Sequence, residues 1–167
     1  MKTSRSLFLA VLITFTINAA YAQTTANIYN PSADASAEIS AAVLKAKAEN
    51  KHVLLQVGGN WCSWCVKFHK LIHTDTKIDS VMKANYIFVL VNHSKENRNY
   101  PLLKELEFPQ RFGFPVLVVL NPEGKRIHTQ ATDLLESGDG YDNKKVISFL
   151  KLWSAGAVDP AKYPDKQ

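Results

Sequence analysis

Cys62 and Cys65 are the only cysteines in the chain, and they stand three positions apart behind an apolar run that ends at Gly58-Gly59-Asn60. A bridge between them closes a loop holding only Ser63 and Trp64. So short a loop removes little entropy from the unfolded chain, and stapling is a poor reason for the pair. Reactivity is a better one. If the apolar run is a strand and the cysteines open the next helix, Cys62 falls at the helix N-terminus. Unpaired backbone N–H groups and the helix dipole favour a thiolate there. A thiol of lowered pKa attacks disulfides and also leaves well. Cys65, one turn deeper, is expected to be more buried and less ionised, placed to resolve a mixed disulfide by attacking Cys62.

The N-terminus sets the compartment. Lys2 and Arg5 precede an apolar run over residues 7–17, and Ala20-Tyr21-Ala22 offers small residues before a cut at Gln23. This is the pattern of a secretory leader, so the expected location is periplasmic or secreted. The run is too short to span a bilayer, no later segment is long enough, and no cysteine stands beside it to take a lipid. Stable membrane insertion is therefore not expected. Removing residues 1–22 from the 167 leaves 145, one domain's worth. The net charge is +5, and the leader carries Lys2 and Arg5 without an acid, so +3 remains. Lys and Arg are scattered, which excludes a nucleic-acid footprint. A hydrophobic share of 46% is enough for a packed core and argues against global disorder.

Residues 23–35 are small and polar and read as a mobile lead-in, with the domain at 36–154 and a tail at 155–167. A helix is expected over 37–50, with Ile39, Ala42, Val43 and Ala46 as its stripe and Asp34 or Ser36 as cap. Residues 52–57 (HVLLQV), 86–92 (YIFVLVN) and 116–120 (VLVVL) read as buried strands. Between the first two lies a helix over 65–73, with 78–82 either prolonging it or forming a second one. Residues 101–107 suit one or two helical turns. Asn121-Pro122-Glu123-Gly124 is a turn signal, and 126–132 pairs back as a fourth strand. Val146, Phe149, Leu150 and Trp153 mark a closing helix. Strands separated by helices predict parallel crossovers, and the last tight pair predicts an antiparallel hairpin.

Two sets of residues resemble the thioredoxin superfamily. They are Trp61-Cys62-Ser63-Trp64-Cys65 after HVLLQV, and Gly113-Phe114-Pro115 before VLVVL and the NPEG turn. The likeness runs in element order over residues 37–153, and is greatest to small exported thioredoxin-like proteins with a W-C-x-W-C motif. It implies an α/β three-layer sandwich, with a central mixed four- to five-stranded sheet and helices on both faces. It implies that Phe114–Pro115 is cis and lies beside the cysteines, and that Phe114 offers backbone hydrogen bonds to an extended substrate. It further implies a thiol–disulfide oxidoreductase with Cys62 and Cys65 as catalytic residues and no cofactor. The partners would be protein disulfides or dithiols, with a membrane-bound thiol reductant as one candidate electron source.

Three features, at four positions, depart from the family. Ser63-Trp64 stand where reducing members carry Gly-Pro and isomerases often a His, so no cation supports the Cys62 thiolate. Gln56 occupies the place of a buried acid, and cannot take the resolving thiol's proton. Lys70 replaces a helix proline. With the helix dipole acting alone, worth about 0.3–1 kcal/mol, the reducing direction is expected.

Other readings of the same residues compete. His69 and His73 with the cysteines suggest a metal site, but Cys62 and His69 are about 10 Å apart along a helix, too far for one ion. Trp61 fits packing below the turn, while Trp64 is expected to stay partly exposed and meet substrate. Phe112 and Phe114 suit either role. Asp133, Glu136, Asp139 and Asp142 read as solvated loop charges. A second functional class is a binding module whose cysteines form only a local disulfide, with recognition through Trp64 and Phe114.

Overall fold

A computed structural model describes residues 27–164. The core is set by the strands that the apolar runs predict. All seven residues of β1 (His52–Gly58) are buried, because helices cover both faces of the sheet. Val53, Leu55 and Val57 point to one face and pack with Ala42 and Ala46 of α1 (Ala35–Glu49). Leu54 points to the other, where Phe68 and Ile72 of α2 (Ser63–Thr74) meet it. The two-residue period of the strand thus builds two apolar layers from one continuous run.

β1 pairs in parallel with β2 (Tyr86–Asn92) and antiparallel with β3 (Val116–Leu120), and β3 pairs antiparallel with β4 (Arg126–Ala131). The order is β2-β1-β3-β4, a mixed four-stranded sheet. α1 and α4 (Tyr100–Glu105) lie on one face; α2, α3 (Thr76–Asn85) and α5 (Asn143–Leu152) lie on the other. This is the expected three-layer α/β arrangement. No described helix is long and apolar enough to cross a membrane.

Caps decide where the helices begin. The Asp34 carboxylate accepts the Ala37 N–H and starts α1. Asp75 ends α2 and, by accepting the Lys77 and Ile78 N–H groups, starts α3 as a separate helix. Asp142 caps α5 in the same way, through Lys144 and Lys145. The polar stretch before α5 has more order than its composition suggests. A 3-10 turn at Thr132–Leu135 leads into a hairpin of β5 (Glu136–Ser137) and β6 (Gly140–Tyr141).

One expectation is corrected. The lead-in read as mobile over 23–35 is, within its described part, anchored to the domain at Tyr29 and Pro31. Tyr29 is 3% exposed and belongs to the cluster around the cysteines. Asn60 clamps it by accepting the Tyr29 N–H and donating to the Tyr29 carbonyl, both at 2.9 Å. Asn97 adds a bond to the Pro31 carbonyl. The expected leader, residues 1–22, lies outside the described residues, as does the end of the 155–167 tail.

Candidate functional site

The cysteine turn sits at the carboxyl end of β1. The Gly59 carbonyl accepts the Cys62 N–H at 3.0 Å, and the Gly58 carbonyl accepts the His93 N–H from the end of β2. Cys62 takes the N-cap position of α2 with extended backbone, φ −96° and ψ 103°. Its Sγ accepts the Cys65 N–H at 3.1 Å. The sulfur itself therefore serves as the cap that the first turn of a helix requires. The two cysteines are disulfide-bonded, with Cα atoms 5.2 Å apart. Cys62 is 5% exposed and Cys65 fully buried, the order expected from their places along the helix. α2 has no acid in its first turn to oppose a negative sulfur.

Beneath the pair lies an uncharged polar network. Gln56 is fully buried, and its Nε2 donates to the Cys65 carbonyl at 3.0 Å and to the Tyr29 hydroxyl at 2.6 Å. Its Oε1 is buried and has no partner among the described residues. Burial pushes the Tyr29 hydroxyl well above the ordinary tyrosine range, against a smaller downward effect of the Gln56 hydrogen bond. Sequence reasoning missed Tyr29. The usable signal was an aromatic side chain standing beside Ile28 in an otherwise polar segment.

Above the pair the surface is aromatic. Trp61 is 58% exposed, with its ring edge-on to Phe114 at 5.3 Å and its Nε1 donating to the His93 carbonyl at 2.8 Å. His93 in turn stacks on Phe114 at 5.0 Å. Trp61, His93 and Phe114, with Asn92, Lys95 and Arg98, line a groove of about 510 Å³. Phe114 packs against the Tyr29–Cys62–Cys65 cluster, and the Phe114–Pro115 bond is cis. Pro115 is buried, its carbonyl accepting the Thr132 hydroxyl.

Of the two tryptophans, Trp64 is partly exposed as expected, and Trp61 departs from its expected surroundings. Trp61, expected to pack below the turn, is the exposed one. Trp64 is half-buried, edge-on to Tyr141 at 5.4 Å, with Lys67 Nζ 4.4 Å from the centre of its ring. The reason is the cap. Trp61 precedes it, and its indole lies where a side chain on Gly59 would stand. Trp64 follows it, in the first turn of α2, and packs beside the β5–β6 hairpin. The Tyr141 hydroxyl donates to the Trp64 carbonyl at 3.2 Å.

His69 and His73 pair with each other at 4.4 Å against Phe88 of β2. Burial, then the neighbouring His73, lowers the His69 pKa. Among the described residues no group of three or more His, Cys, Asp or Glu is placed to hold a metal ion. Phe112 is exposed at the end of the turn before Gly113. Of the acids between 133 and 142, Asp142 acts as a helix cap and Asp133 accepts the Leu134 N–H.

The sequence model of a family described as thioredoxin-like matches residues 34–122. No curated protein matches the chain. Among solved structures, a disulphide isomerase from Xylella fastidiosa Temecula1 superposes with a TM-score of 0.67 at 25% identity, over 75% of this chain and 95% of that one. The oxidised C-terminal domain of DsbD from Neisseria meningitidis superposes with a TM-score of 0.51 at 19% identity, over 72% of this chain and 97% of that one. The second likeness is one of fold.

Proposed function

Because the chain belongs to the thioredoxin-like family, we propose that it is an exported thiol–disulfide oxidoreductase that reduces protein disulfides through Cys62 and Cys65. The observation that carries this reading is the cap: Cys62 Sγ accepts the Cys65 N–H in the first turn of α2, while Cys65 itself lies sealed beneath it. The likeness to a protein described as a disulphide isomerase supports exchange chemistry at the pair.

In the reduced protein the Cys62 thiolate, held by the Cys65 N–H and the helix dipole, attacks one sulfur of a substrate disulfide. The other substrate sulfur leaves with the electron pair of the broken bond. Cys65 then attacks Cys62 Sγ, closing the internal disulfide and releasing the second substrate sulfur as a thiol. Trp61, Trp64, Phe114 and Pro115 are proposed as substrate contacts. Exposed Trp61 and half-buried Phe114 form the rim, and the Phe114 backbone offers hydrogen bonds to an extended chain. Protein disulfides are the partners, with a membrane-bound thiol reductant restoring the pair.

Direction follows from charge. Nothing between the cysteines adds a cation to the dipole, and the dipole alone shifts the potential by only about 20 mV or less. A potential around −270 mV is expected, near reductants, and not around −120 mV, near strong oxidants. Equilibration with glutathione measures it; a value above about −180 mV overturns the reducing direction. Insulin reduction driven by dithiothreitol tests the activity itself. Catalysis lost in Cys62→Ser is expected, whereas a wild-type protein no better than dithiothreitol alone would leave a binding module. N-terminal sequencing of the exported protein should begin at or near Gln23.

A further inference from the structure

The proposed reaction makes Cys65 pass through a thiolate beside Gln56 and Tyr29, a buried network that holds neither carboxylate nor cation. A buried anion without a hydrogen-bond donor is costly, so a donor is needed. The Tyr29 hydroxyl is the polar group that shares a space with the sulfur. A β-carbon added to Gly58 would overlap Cys65 Sγ and would lie 2.8 Å from the Tyr29 hydroxyl oxygen. The sulfur and the hydroxyl therefore border the same small space, left open by the missing side chain.

The orientation of the Gln56 amide fixes what that hydroxyl can do. The Cys65 carbonyl only accepts, so the amide must turn its NH₂ toward it. The same NH₂ donates to the Tyr29 oxygen. The Tyr29 proton is thus not used in holding Gln56, and among the described residues no acceptor takes it. Gln56 Oε1 is a second unused group of the same network, buried and unpartnered. Both are present with the cysteines joined as a disulfide, in which neither sulfur carries a charge or a proton.

We propose that the Tyr29 hydroxyl donates to Cys65 Sγ once the disulfide opens, holding the resolving sulfur as a thiolate. The inference rests on the exchange reading of the cysteine pair. In the step it serves, the Cys65 thiolate attacks Cys62 Sγ of a mixed disulfide. The Cys62–Cys65 bond forms, the bond from Cys62 to the substrate breaks, and the substrate sulfur leaves with the electron pair. The proton that Cys65 gave to water is matched by the one the departing sulfur takes up. Tyr29 keeps its own proton throughout. Burial holds it there, Tyr141 is the titratable neighbour that acts on it through charge, and Ile28, Trp64, Leu90 and Phe114 around the cluster are neutral.

The test uses the full mature chain, reduced and mixed with 5,5′-dithiobis(2-nitrobenzoate), which releases one coloured thiolate when Cys62 attacks and another when Cys65 resolves. In Tyr29→Phe the second release should slow relative to the first by about ten- to a hundredfold at neutral pH, the effect of removing one hydrogen bond from a buried anion. Its pH midpoint should move upward. A second release that keeps its wild-type rate, or slows equally at every pH, overturns the proposal. Wild-type protein that shows no release at all overturns the exchange reading and the proposal with it. The wild type alone also decides the matter, should the variant not fold. With tyrosine ring carbons labelled, the Tyr29 Cζ resonance of the reduced protein should move as Cys65 titrates, and a resonance that stays flat overturns the assignment.

Discussion

The two sides of the cysteine turn differ in kind. Above it, exposed Trp61 and half-buried Phe114 and His93 form an aromatic rim, joined to the fold by ring contacts, the indole hydrogen bond and the bonds of His93 to the Gly58 and Arg98 carbonyls. Below it, Gln56 and Tyr29 are buried and joined by a hydrogen bond, Gln56 also donates to the Cys65 carbonyl, and the space they share with the sulfur is too small for a β-carbon on Gly58. The lower side is uncharged, whereas Lys95, Glu96 and Arg98 line the groove of the upper side. Changes above should therefore alter which substrates bind and leave the fold intact. Changes below should alter both stability and the fate of Cys65.

The largest expected effect belongs to the turn itself: Cys62→Ser should reduce disulfide-exchange turnover to the uncatalysed background in the insulin assay. Gly58→Ala comes next and probes the lower side. Its β-carbon would overlap Cys65 Sγ, so forcing it into a packed core should cost about 1–3 kcal/mol by denaturant unfolding. An unchanged unfolding midpoint would show that the space beneath the sulfur is looser than the geometry indicates. Trp61→Ala probes the upper side. Exposed and outside the core clusters, it should shift stability by less than about 1 kcal/mol, the scale of a surface change that loses one aromatic contact. It should raise KM for a protein substrate while exchange with a small aliphatic disulfide keeps its rate. A Trp61→Ala protein less stable than Gly58→Ala would reverse the comparison.

The smallest effect lies away from the site. His52 is buried with Nδ1 2.8 Å from the Trp153 carbonyl, and burial lowers its pKa; burial also lowers those of His69 and His128. In each case the unfolded chain binds a proton more readily than the native one. Stability from this source is complete above the unfolded value, about 6.5, and is lost as pH falls through the lowered native values. Melting temperature should decline between pH 7.5 and pH 5.5, before ordinary carboxylates titrate. A rise over that range would reverse the sign.

Much of the fold was legible because its strands are continuous apolar runs between breakers. Tyr86–Asn92 and Val116–Leu120 begin and end where the runs do. The boundary between α2 and α3 was left open because Asp75 is unremarkable in sequence, and becomes a cap only when its carboxylate meets the N–H groups of Lys77 and Ile78. The β5–β6 hairpin joins two residues to two and has no periodicity to detect. At the site, the burial order of Cys62 and Cys65 followed from helix geometry. The surroundings of Trp61 did not, since the residue before a cap can turn its indole outward or under the turn, and only the contact with Phe114 and the His93 carbonyl decides which.

By itself, the sequence determined that two cysteines would meet at the start of a helix behind a buried strand. Spacing along one chain and the periods of helix and strand are local properties, and they suffice for that. Only the tertiary structure decided what surrounds the sulfurs. Tyr29 reaches Gln56 across 27 positions, and Asn60 holds the Tyr29 backbone across 31. Trp61 meets Phe114 only after β3 has returned beside β1. Such contacts depend on which faces of distant segments come together, and that is settled by burying both faces of the sheet at once.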